Sequence, residues 1–269
     1  MSEEQPSAKK AKLEAKYELL YWPGMPGRGE FVRLALEAAG LPYKDTTNEE
    51  KDGITKLFAV IRDTDINDPP TLCPPILRVS TADASPLLIC QTPNILLYLG
   101  DREGLAPGST DKYLVHQHAL TALDLTNEAH NTHHPIDVAL FYEDQKPEAA
   151  RAAAVFRAQR IPKFFGYFDR VLRHNKRVTP GAAEKPWGYV VGDKLTYADT
   201  TVWQMVDGVA FAFPERVQAL RDGGGYADLF AFYDGLKSEA WLAEYLGSER
   251  RQKYSHGIFR HYEELDGKE

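Results

Sequence analysis

Three groups of residues have types and spacings that could do chemistry. The first is Tyr21, near the end of the run Tyr17-Glu18-Leu19-Leu20-Tyr21-Trp22, just before the turn Pro23-Gly24-Met25-Pro26-Gly27-Arg28-Gly29-Glu30. A phenol there faces the start of a helix and can donate a hydrogen bond to an anion; a buried edge tyrosine beside a structural loop is the other reading. The second is Gln91-Thr92, followed by Pro93-Asn94 and the apolar Ile95-Leu96-Leu97-Tyr98-Leu99. Thr92 suits an N-cap and Pro93 the first helical position, and a helix start with free N–H groups, a hydroxyl and an amide suits a carboxylate. A capped helix that binds nothing is the alternative. The third group is Asp124, Glu128, His130, His133 and His134. Asp124 and Glu128 share a helix face one turn apart, as do His130 and His134. Pro135 ends the helix there and no third-ligand motif follows, so polar histidines without a metal are expected.

The elements that must hold these groups can be read from periodicity. Tyr17, Leu19 and Tyr21 occupy one face of a strand, and Glu18, Leu20 and Trp22 the other. Phe31, Leu34, Ala35 and Ala38 recur at helical spacing, with Gly40 as a stop and Pro42 beyond it. Strand, Gly/Pro-rich turn and amphipathic helix make the first half of a βαβ unit. A short strand is expected at 41–44, and a hairpin from 73–79 and 87–90 across the turn-rich 80–86. Residues 45–72 match no element. Gly104, Pro107 and Gly108 mark a linker at 102–111, and beyond it the pattern is helical over 112–131, 146–174, 196–212 and 226–246. Thr196-Tyr197-Ala198-Asp199 is a capping box and is read as structural. The expected fold class is α/β plus all-α. A disordered tail at 1–16 precedes an α/β domain at 17–101, and an all-helical domain follows at 112–269.

The 269 residues carry a formal net charge of −7, which disfavours a sequence-independent nucleic-acid binder. No apolar run approaches the roughly 20 residues of a membrane span, and the N-terminus lacks the apolar core of a secretory signal. Cys73 and Cys90 are too far apart for a C-x-x-C pair and too few for a disulfide framework, which fits a reducing, cytoplasmic setting. Residues 6–14 resemble a short basic nuclear-import signal, which adds a possible nuclear fraction; a solvated tail is the other reading.

Together these pieces resemble the cytosolic glutathione S-transferase family, of the tyrosine-type, fungal or sigma-like kind, from about Tyr17 to the C-terminus. The resemblance rests on Tyr21 with Arg28-Gly29-Glu30 behind it, Pro74-Pro75-Ile76-Leu77 before a strand, Gln91-Thr92 before a helix, and Gly192 with Thr196-x-x-Asp199. It implies a thioredoxin-like N-terminal domain followed by a helical bundle. It also implies glutathione as co-substrate, a hydrophobic electrophile, no metal, and a homodimer. By the same resemblance Tyr21 donates its hydroxyl to the glutathione sulfur, and Gln91 and Thr92 hold the γ-glutamyl end. Pro75 is the cis proline, with Pro74 as the alternative; the residue before it meets the cysteinyl part, a contact weakened here because Pro74 lacks an N–H. Arg28 holds the first turn or the peptide's charge, and Glu128 reaches the glutathione amino group across a dimer interface. The implied activity is conjugation in detoxification. Glutathione-dependent isomerisation or peroxide reduction, and a non-catalytic scaffold or carrier, are the alternatives.

Overall fold

The computed structural model describes residues 16–62, 70–82 and 84–269. Strand β1 (Lys16–Leu20) is an inner strand of a four-stranded sheet ordered β2-β1-β3-β4. Strand β2 (Tyr43–Asp45) runs parallel to it, and β3 (Ile76–Thr81) pairs antiparallel with both β1 and β4 (Ala84–Cys90). Helix α1 (Gly29–Ala38) makes the crossover between the parallel strands. The alternation along β1 holds. Tyr17, Leu19 and Tyr21 join the main core with Phe31, Leu34 and Ala35, while Leu20 packs with Ile76 and Leu57 on the opposite face.

The N-terminal half departs from the sequence expectation in three places. The unassigned stretch contains α2 (Thr46–Glu49) and α3 (Gly53–Arg62). In α3 the apolar residues Ile54, Leu57, Val60 and Ile61 carry a helical period that the polar flanks obscure. Strand β4 begins inside the expected turn and includes Pro86, tolerated because β4 is an edge strand with no ladder partner on one side. Strand β1 opens at Lys16, one residue into the expected tail; the rest of that tail and the import-like 6–14 lie outside the described residues.

Helix α4 (Thr92–Glu103) closes the sheet layer, and the rest is helical: α5 (Lys112–His133), α6 (Lys146–Val155), α7 (Ile161–Val178), α8 (Tyr197–Ala212), α9 (Pro214–Asp222), α10 (Ala227–Lys237) and α11 (Ala240–Leu246). The expected single helix at 146–174 is interrupted by a π-helical turn, Phe156–Arg160. Pro162 explains it: without an N–H, and with a ring that clashes with the carbonyl four residues back, it forces the preceding turn to widen. Helix α8 is buried almost all round, with Tyr197, Trp203, Met205 and Val209 fully covered, as befits the centre of a bundle. No helix among the described residues is long and apolar enough to cross a membrane.

Candidate active site

Tyr21 lies one residue beyond β1, and its ring lies flat against the start of α1. A Cβ on Gly27 would come within 2.3 Å of its hydroxyl, and one on Gly29 within 2.6 Å of its ring. Gly27 also has φ +46°, so both geometry and space demand glycine there. The backbone N–H of Arg28 donates to the Tyr21 oxygen at 2.7 Å. Burial raises the pKa of this phenol above its ordinary value, while the Arg28 N–H and the charges of Arg28 and Arg33 oppose the rise. The phenol therefore stays protonated at neutral pH, and the N–H groups of Arg28 and Gly29 both bear on its oxygen.

Helix α1 is held in place by groups that the sequence reading passed over. Glu30 is fully buried and accepts hydrogen bonds from Arg33, Tyr245 and Arg251, while Arg33 also pairs with Asp45 at 2.7 Å. Arg251 reaches further to Asp207 and Gln204 of α8. An isolated buried carboxylate would be prohibitively costly, so this network ties the N-terminal sheet layer, α8 and the C-terminal segment into one arrangement. The Glu30–Arg33 spacing of three residues was the available signal; Asp45 and Arg251 could not be foreseen from spacing.

Beside Tyr21, a cleft of about 360 Å³ brings together Arg28, Pro74, Pro75, Gln91 and Thr92, with Asp124 and Asn127 of α5 forming the opposite wall. That volume is typical of a small-molecule site. Tyr21 is not itself part of the cleft wall, and joins the site through the Arg28 N–H. The Pro74–Pro75 peptide bond is cis, and Pro74 offers a carbonyl but no donor. Arg28 donates to Asn127 Oδ1 at 2.7 Å, linking the first turn to α5; Asn127 had no signature in the sequence.

The N-cap of α4 is Gln91, with Thr92 the first helical residue, a shift of one from the expectation. The reason is backbone geometry: Gln91 has φ +71°, and its carbonyl already accepts the first helical hydrogen bond, from Ile95 at 2.9 Å. No side chain caps this start, and the Thr92 hydroxyl makes only a 3.5 Å contact with the Arg28 carbonyl. A non-glycine residue at such a φ costs about 1–3 kcal/mol and persists where function or packing demands it.

Glu128 does not join the cleft. Its carboxylate receives both Nε and Nη2 of Arg160, at 2.6 and 2.7 Å. Asp124, one turn earlier, is the acid on the cleft wall. His130, His133 and His134 do cluster, with ring centroids 4.8–5.0 Å apart, yet among the described residues no set of side chains is arranged to hold a metal ion. Burial pushes the His130 and His133 imidazoles down to about 4 and about 3 respectively, and both are neutral near pH 7. His133 Nε2 donates to the Ile258 carbonyl at 2.9 Å, so the C-terminal segment docks on the end of α5. The same segment reaches the first turn, where Ser255 donates to the Gly24 carbonyl at 3.1 Å.

Residues 130–249 match the family described as glutathione S-transferase, C-terminal domain. The chain is 24% identical over 204 residues to a glutathione S-transferase of Plasmodium falciparum, covering 74% of this chain and 83% of that one. It is 23% identical over 202 residues to human glutathione S-transferase A4, covering 74% and 77%. Among solved structures, the sigma class enzyme of Fasciola hepatica superposes with a TM-score of 0.63 at 17% identity, covering 90% of this chain and 98% of its own. A monomeric glutathione S-transferase from Necator americanus gives 0.61 at 20% identity, covering 89% and 100%. The resemblance read from the sequence therefore holds, and the fold is that of glutathione transferases: a thioredoxin-like domain followed by a helical domain.

Proposed function

We propose that the protein is a glutathione S-transferase in which Tyr21 stabilises the glutathione thiolate for attack on a hydrophobic electrophile. The observation that carries this reading is the phenol held protonated at the start of α1, its oxygen occupied by the Arg28 N–H, beside the cleft of Arg28, Pro75, Gln91 and Thr92. A free thiol with pKa about 8.5 is only a few per cent ionised at neutral pH. A shift of about two units corresponds to roughly 2.7 kcal/mol, within reach of a preorganised donor in a desolvated site. The thiol releases its proton to solvent, the sulfur accepts the Tyr21 O–H, and the thiolate electron pair forms the new C–S bond as the electrophile's leaving group departs with its bonding pair or, in an addition, as the broken π bond takes a proton from solvent. The phenol serves as a donor throughout and never as a base.

In this reading Gln91, Thr92 and the unfilled start of α4 take the γ-glutamyl carboxylate, and the Pro74 carbonyl accepts from the cysteinyl N–H. Arg28 steadies the first turn. Glu128, paired with Arg160 in its own chain, keeps its proposed reach to the amino group of a partner's glutathione, and Asp124 is the acid on the cleft wall of the same chain. The division into domains at 17–101 and 112–269, a homodimer and a cytoplasmic role in detoxification belong to the same proposal; light scattering at micromolar concentration tests the dimer. Replacing Tyr21 by Phe tests the mechanism. Glutathione affinity should change little, while turnover should fall about a hundredfold and the near-ultraviolet thiolate band of bound glutathione should move to higher pH. Unchanged turnover would remove Tyr21 from the mechanism.

A further inference from the structure

Where α5 ends and the C-terminal segment docks, the Arg260 guanidinium stands beside neutral histidines with no acidic partner among the described residues. Residues 257–262 leave the Tyr21 turn, where Gly257 lies against Gly27 and Met25, and run onto the histidine cluster. Their side chains alternate. Phe259 packs on Gly208 and His261 meets the Ala212 carbonyl at 3.2 Å, both on α8. Tyr262 faces the other way, stacking on Tyr142 at 3.8 Å with its ring 6.2 Å from His133. Period-two alternation places Arg260 on the side of Tyr262, toward the histidines.

Arg260 has no hydrogen-bond or ion-pair partner among the described residues, and its Nε is buried and unsatisfied. The nearest other arginine bearing on the cluster, Arg28, bonds only the neutral amide of Asn127. Both guanidinium groups act on His130 and help keep it uncharged. The Oε1 of Gln145 accepts the Ile136 N–H at 2.9 Å, and its Nε2 donates to the Asp137 and Leu140 carbonyls at 3.1 and 3.2 Å beside the His134 ring. His134 is itself hydrogen-bonded to the Leu140 carbonyl, so its ring offers the cluster no spare donor. His133 is fully used on one side, by Ile258, and its buried Nδ1 has no partner. A partly buried guanidinium without an acceptor costs stability, and such arrangements mark binding sites.

We propose that Arg260 is an anion subsite for the second substrate, so that the electrophile this protein conjugates carries a carboxylate. The inference rests on the transferase reading. A carboxylate anchored by Arg260 leaves the reactive carbon toward the turn that holds Tyr21, because the same segment touches Gly27 at Gly257, three residues earlier in the chain. With a chlorodinitrobenzoate as probe, the thiolate forms the C–S bond, the C–Cl bond breaks, and its electron pair leaves with chloride.

The test compares that carboxylate with its methyl ester, in equilibrium binding and in turnover, for the wild-type chain, Arg260→Met and Arg260→Lys. Binding is measured without glutathione, using dinitrobenzoate and its methyl ester. The wild type should favour the anion about tenfold in both measurements, Arg260→Met should reduce the ratio to near one, and Arg260→Lys should keep part of it. Equal affinity for acid and ester in the wild type, or an undiminished preference in Arg260→Met, would overturn the proposal. Preferential anion binding with no thioether from either probe would instead sink the transferase reading and leave the anion site standing.

Discussion

Helix α4 has a threonine as its first residue and α8 has one as its N-cap, and the two starts resolve the same physical problem in opposite ways. At α8 the Asp199 carboxylate is fully buried and accepts from the Thr196 N–H, the Thr196 hydroxyl and the Val190 N–H, each at 2.7 Å. The Thr196 N–H and hydroxyl and the Val190 N–H thus find their acceptor inside the chain, as does the Tyr197 N–H at the Leu105 carbonyl. At α4 no side chain caps the helix, Gln91 is held at φ +71°, and the start opens on the cleft with Arg28 and Asp124. Backbone N–H groups at a helix start must be satisfied by something, and in the proposed function the start left open at the cleft takes the glutathione carboxylate. The difference lies in where the acceptor comes from, and residue type alone does not reveal it.

Removing the internal acceptor should produce the largest effect. Asp199→Ala leaves three donors unpaired in the core and should cost about 4 kcal/mol in chemical denaturation. A loss under about 1 kcal/mol would mean that the box is ornamental and the contrast with α4 false.

A pH dependence of opposite character sharpens the comparison. Burial pushes the Asp199 carboxyl up to about 6, so the folded state holds this proton more readily than the unfolded chain does. Its contribution to stability is present below about pH 4, near the unfolded carboxyl's value, and is lost as pH rises through about 6. The loss should reach at most about 3 kcal/mol, and Asp199→Asn should flatten it in urea melts across that window. No such slope should arise from the start of α4, which has no titrating group in its cap. An Asp199→Asn profile that parallels the wild type would place the slope elsewhere.

The smallest effect is the most discriminating. Gln91→Gly removes the amide and relieves the positive φ, so the chain should gain about 1 kcal/mol of stability while glutathione binding weakens about tenfold. Calorimetric titration with glutathione and a thermal melt of the same sample check both halves. A variant that loses stability and keeps its glutathione affinity would show that the α4 start is a structural cap like that of α8.

The capping box, the βαβ start, the hairpin and the change to helices after residue 111 were legible because each depends on near neighbours in the chain. Tyr21 at the end of β1 and the Gln91-Thr92 pair were legible for the same reason. The short helix α3 escaped notice because two turns of apolar period are hard to separate from polar flanks, and the π-helical turn because its cause, Pro162, sits beyond it. Glu128 and Asp124 could not be distinguished by sequence: they share one helix face, and only the position of Arg160 decides which acid is engaged elsewhere.

What the sequence by itself determined is the order of elements, the face each residue presents and the two helix starts, since period, caps and turn chemistry act over a few residues. The tertiary structure alone decided which groups meet across the chain: Arg28 with Asn127, Glu30 with Arg251, His133 with Ile258, and Arg260 beside the histidines without a counter-ion. Such pairings are set by how buried faces and charges are satisfied once the helices pack, and no local rule encodes the partner of a side chain more than two hundred residues away, as Arg251 is from Glu30.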